Sequence, residues 1–80
     1  MSLTREDLLD FLQTELDFDE PVEDETLLFS SALLDSFSMV SLVAYVEKRT
    51  SLRFTPGDVN LGNLDSIGRM LRFVASKQAR

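Results

Sequence analysis

Between Asp17 and Glu25 the chain reads DFDEPVEDE, six acids in nine residues with Pro21 among them. Repulsion between the carboxylates and the missing backbone donor of proline both oppose a helix, so this interval is loop. It divides the eighty residues into a short N-terminal element and a longer remainder. A chain of this length makes one domain, residues 1–80, with a narrow stability margin and no room for a deep enclosed active site. Its 44% hydrophobic residues, with only three Gly and two Pro, are enough for a core and do not read as disorder.

Helical spacing appears on both sides of the acidic break. Residues 4 to 16 place Leu8, Leu9, Leu12 and Leu16 on one stripe, with Thr4 and Asp7 set as a capping box. A second helix is expected from Ser36 to Thr50, with Asp35 or Ser36 as its cap and Lys48 and Arg49 in the last turn, where cations suit the carbonyl end. Thr55-Pro56-Gly57-Asp58 predicts a short helical turn, because proline costs nothing at a first helical position, and Asn60, Gly62 and Asn63 are expected to break it. A last helix starts near Asp65, with Ile67, Met70, Leu71 and Val74 on one face. No segment alternates as a strand does. The expected fold is all-α, a small four-helix bundle with three longer helices, a short third one and a long first connection. A structureless connection from 17 to about Asp35 would be unusual in so small a domain. Leu27, Leu28, Phe29, Leu33 and Leu34 are expected to pin it across the helices, leaving only its acidic first part loosely held.

The residue inventory restricts the chemistry. The chain has no Cys and no His. It therefore has no disulfide framework, no thiolate nucleophile, none of the usual zinc ligands and no ordinary general base for neutral pH. A self-contained hydrolase is not expected. The net charge of −6 is polarised: residues 1–36 hold eleven acids and one base, residues 37–80 three acids and seven bases. Nucleic-acid binding is disfavoured by the acidic half, and the basic half has no dense cluster. With no basic-then-apolar leader and no run able to span a bilayer, a cytoplasmic monomer without membrane insertion is expected. A calcium loop beginning at Asp17 fails at its sixth and twelfth places, which hold Val22 and Leu28. A helix-turn-helix reader fails on charge, since the second helix offers only Lys48 and Arg49 at its far end.

The stretch LLDSFSMVSLVAYV, residues 33 to 46, holds more apolar surface than one packing interface uses. On a helical wheel Met39, Leu42, Val43 and Val46 centre on one direction, while Phe37 and Ala44 lie well over ~90° away and Val40 falls between. Phe37 is therefore either covered by the long loop or exposed beside Ser36. Ser36 itself is either a plain helix cap or a functional hydroxyl.

Leu33-Leu34-Asp35-Ser36-Phe37, after a long acidic loop containing Leu28-Phe29 and before Val40, Leu42, Val43 and Val46, resembles the acyl and peptidyl carrier proteins, whose signature is Asp-Ser-Leu at the head of the second helix. The likeness extends over nearly all of the chain: first helix, long loop, second helix, short third helix around Pro56–Val59, final helix. It implies that Ser36 is the attachment site of a covalent cofactor, 4′-phosphopantetheine, with Asp35 as the preceding family aspartate. It also implies a phosphopantetheinyl transferase, an adenylate-forming acyl or aminoacyl ligase, and acyltransferase or synthase enzymes as partners. The chain would then be a non-catalytic holder of an acyl thioester. Partners would dock on Phe37, Val40, Ser41, Ala44 and Glu47. Two departures are visible. Acids common along the exposed side of the family's second helix are replaced by Ser38 and Ser41, with Glu47, Lys48 and Arg49 beyond, and Phe37 stands where the family has leucine. Asp-Ser-Phe resembles discrete carriers served by a dedicated ligase more than the housekeeping fatty-acid carrier. The alternative from another class is a small helical adaptor, never modified, that binds a partner helix through Phe37, Val40 and Ala44.

Overall fold

The first helix is set by its cap. Thr4 and Asp7 exchange bonds, Asp7 N–H donating to Thr4 Oγ1 at 3.1 Å and Thr4 N–H to Asp7 Oδ2 at 3.0 Å. This closes the N-terminus of α1, Arg5–Thr14, in a computed structural model that describes residues 3–79. Leu8, Phe11 and Leu12 turn inward. The helix stops two residues short of the expected Leu16: Asp17 takes a left-handed φ of 55°, and Phe18 N–H returns to Leu12 O at 2.8 Å. Leu16 is half-buried outside the helix.

The connection to the second helix is held along more of its length than the apolar residues alone predict. Leu28 and Leu34 are buried and Phe29 is half-buried, but Leu27 and Leu33 remain exposed at 41% and 40%. The acidic first part is not loose. Val22 is buried, and the Arg5 guanidinium donates to Val22 O at 2.9 Å and to the Asp24 carboxylate. Asp24 O in turn accepts Gly68 N–H at 2.8 Å. A Cβ at Gly68 would stand 3.1 Å from that same oxygen, so glycine is what lets the loop approach the last helix.

The second helix, α2, runs Ser36–Thr50 with Leu42 and Val46 buried and Met39 and Val43 half-buried, as the wheel predicts, and with Thr50 buried as well. It ends without glycine, on Ser51 at φ 61° and ψ 20°. One turn of 3-10 helix follows at Pro56–Asp58, where Thr55 N–H donates to Asp58 Oδ2 at 2.9 Å. The expected break at Asn60 to Asn63 is instead a further helical turn, α3, Leu61–Leu64. Asn60 caps it, Oδ1 accepting Asn63 N–H at 2.9 Å, and a single turn ending on buried Leu64 tolerates one glycine. The last helix, α4, is Ile67–Gln78; Ser66 Oγ caps it at Arg69 N–H (3.2 Å), and Ile67, Met70 and Val74 face the core.

The four helices and the loop share one core, centred on Leu8, Leu12, Leu28, Leu42, Leu64, Ile67 and Met70. The fold is thus the expected all-α bundle, and no strand occurs among the described residues. Among the same residues no helix is long and apolar enough to cross a membrane.

Candidate functional site

Asp35 and Ser36 divide the work at the head of α2. Asp35 is the N-cap, in extended conformation, and its Oδ1 accepts Ser38 N–H at 2.8 Å. Ser36 is the first helical residue; it is exposed, and no hydrogen bond ties its hydroxyl to another described residue. The capping duty that could have occupied Ser36 thus falls to its neighbour. Hydrogen bonds from Ser38 hold the Asp35 carboxyl below the usual carboxylate value, so it is ionised at neutral pH and committed to the helix end. The hydroxyl stands at the end of a fifteen-residue helix where unpaired N–H groups and the helix dipole favour a negative substituent.

A relay of contacts fixes where this helix begins. Asp65 is buried at 2% exposure, and its Oδ1 accepts two loop N–H groups, Phe29 at 2.8 Å and Ser30 at 3.0 Å. Its carbonyl accepts Leu28 N–H at 2.7 Å, and Leu28 O accepts Leu34 N–H at 2.8 Å, one residue before the cap. Burial acts to raise the Asp65 pKa, but the bonds from Ser30 and Phe29, with Arg69 at 3.9 Å, outweigh it and hold the group below its ordinary value. The junction of α3 and α4 therefore positions the loop that delivers Asp35 and Ser36. Nothing in the sequence singles out Asp65 for this. It reads there only as the start of a helix, because its partners are loop backbone atoms 35 and 36 residues away.

The other expected site residues separate into two groups. Phe37 is 79% exposed and Val40 68%, and Ala44 is exposed, so the long loop does not cover this side of α2. Ser41 is half-buried and, with Ala44, lines a groove of about 710 Å³ between α2 and the end of α1, floored by the stacked rings of Phe11 and Tyr45. Glu47 is half-buried in a second hollow that Ala44 also lines, and its carboxylate accepts Phe54 N–H at 2.7 Å, bracing the chain after α2. Tyr45 and Arg49 both reach Asp7, at its carbonyl (3.2 Å) and carboxylate (2.9 Å), joining α2 to α1. No protein-family model, curated protein or solved structure matches this chain.

Proposed function

We propose that this chain is an acyl carrier that bears a 4′-phosphopantetheine arm on Ser36. The observation that carries the reading is the exposed, uncommitted Ser36 hydroxyl beside a cap supplied entirely by Asp35. Esterification there leaves the cap bond in place, and the phosphodiester charge lies at the favourable end of α2. The arm would supply a thiol for an acyl thioester, chemistry that a chain without Cys cannot offer. Activation of the serine falls to the transferase: the chain has no His, and the Asp35 Oδ1 is turned to Ser38. The bare Phe37 and Val40 give the enzymes that load and unload the arm an apolar surface within one turn of the attachment point.

The same bare surface favours the second reading, an unmodified adaptor that binds a partner helix. One experiment separates them. Incubation with coenzyme A and a promiscuous pantetheinyl transferase, followed by intact-mass measurement, should add one arm to the native chain and none to Ser36→Ala. A native chain whose mass does not change ends the carrier reading.

A further inference from the structure

From the charge layout of α2 we infer that this face docks an acidic protein partner, one with an apolar pocket near Ser36 and carboxylates at the opposite end of the helix. The inference rests on the carrier reading for the placing of Ser36 beside the docked partner, and not for the surface itself. At about 100° per residue Phe37, Ala44 and Lys48 lie within ~20° of one outward direction, flanked by Val40 and Ser41. The side chains along that line are bare: Phe37 and Val40 by the exposures given above, Ala44 and Lys48 as exposed residues. The strip is apolar for its first two turns and cationic at its end, about 16 Å further on.

The charge at that end is free to act on a partner. Lys48 and Arg53 are both exposed, line one hollow of about 360 Å³ with Ala44 and Leu52, and form no ion pair with a described residue. Glu47 shares the hollow and keeps its charge, its carboxylate accepting Phe54 N–H, so two cations stand there against one acid and the hollow is positive by one charge. Arg49 is neutralised by Asp7. Glu15 and Lys48 both line the neighbouring groove, so a partner's carboxylates are favoured on the Arg53 side and repelled on the α1 side. A cation in the last turn of α2 is explained by the helix dipole alone, but the dipole explains neither Arg53, outside the helix, nor the apolar strip. The exposed acids Asp17, Asp19, Glu20 and Glu23 repel the same partner from the loop. Both poles thus favour one orientation, with the partner's acids over the C-terminal end of α2.

The test pans a display library of randomised helical peptides against the native chain, then measures the enriched peptides by fluorescence anisotropy. The expected winners combine an apolar face with clustered Asp and Glu. They should lose about fivefold or more in affinity for the Lys48→Glu/Arg53→Glu double variant, and versions with Lys in place of those acids should prefer the variant. Neither substituted side chain loses an ion pair with a described residue, but a glutamate at position 48 opposes the helix dipole beside Glu47, so the variant should melt a few degrees lower and binding is compared where both chains are folded. Enrichment of neutral or basic peptides, no enrichment at all, or equal binding to the variant overturns the inference. Arm loading followed by mass in the same samples keeps the two ideas apart. A chain that takes no arm yet selects acidic peptides retains the docking face and loses the carrier reading, whereas a loaded chain indifferent to peptide charge does the reverse.

Discussion

Replacing Asp65 by alanine should be the most damaging single change outside the aliphatic core, because it removes the acceptor on which the loop before α2 is hung. The carboxylate takes two charge-assisted bonds, from Phe29 and Ser30, at 2.8 and 3.0 Å. Such bonds are each worth about 1.5–3 kcal/mol when the charged partner is buried. Ser30 is exposed and can recover water, whereas Phe29 is half-buried and recovers less. The net expectation is therefore the cost of one such bond plus part of a second, about 3 kcal/mol, a large fraction of the stability of a small domain. In a domain of this size that is a fall in Tm on the order of 15 °C. Asp65→Asn keeps an acceptor oxygen, loses the charge and should cost about 1 kcal/mol. Urea titration followed by circular dichroism measures both. On the carrier reading the alanine variant should also take up the arm more slowly at temperatures where it remains folded, since Leu28 and Leu34 pass the anchor on to Asp35. An alanine variant within about 0.5 kcal/mol of native, or one less damaging than asparagine, refutes the anchoring argument.

Phe37→Ala, by contrast, should change stability by less than about 0.5 kcal/mol because the ring is 79% exposed and, on the carrier reading, should slow transfer to or from partner enzymes; stopped-flow loading assays alongside melts check both halves. Leu28→Ala empties a fully buried position and should cost about 2–5 kcal/mol in urea titration. Gly68→Ala gains helix propensity but sets a methyl 3.1 Å from the Asp24 carbonyl, a backbone atom with little freedom to yield, so a net loss of about 1 kcal/mol is expected. Four carboxyls, Asp7, Asp35, Asp58 and Asp65, have folded pKa values below their ordinary 3.8. Their contribution is complete above that value and is lost as pH falls through the folded values. With no His in the chain, stability should be nearly flat from about pH 6 to 8 and decline below about pH 4, measured as Tm across buffers.

Much of this architecture is legible in the residues because the helices declare themselves locally. Thr4 with Asp7 and Asp35 before Ser38 are contacts within one turn, the spacing of Ile67, Met70 and Val74 covers two, and each appears in the structure where the sequence places it. What local pattern misses is contact at long range. Arg5 grips the loop at Val22 and Asp24, Gly68 admits it, and Asp65 holds its later half; no repeat or spacing announces any of the three. The missed turn Leu61–Leu64 has a different cause, since Asn60 and Asn63 serve equally in a turn or at a cap, and the burial of Leu64 decides between them. At the site, the wheel shows that Phe37 does not belong to the core stripe, but only the path of the loop reveals that nothing covers it.

That uncovered strip sets the scale of any partnership. Burying Phe37 and Val40 against another protein would release about 3–5 kcal/mol in transfer free energy, since each is now mostly in water. Association itself costs at least about 4 kcal/mol in lost rigid-body freedom. The apolar strip alone therefore leaves at most about 1 kcal/mol of net binding, a Kd no tighter than roughly 0.2 M, and attraction at Lys48 and Arg53 adds about a further order of magnitude at low salt, so a tighter contact must draw on surface beyond this strip. Contacts of that strength separate quickly, which suits a carrier that must visit a transferase, a ligase and an acceptor in turn and poorly suits an adaptor that must hold its partner. If the carrier reading holds, surface plasmon resonance against a loading enzyme should accordingly show rapid dissociation, with affinity falling as salt rises and falling again with Phe37→Ala. Nanomolar binding that survives both changes would place the interface on some other face of the molecule.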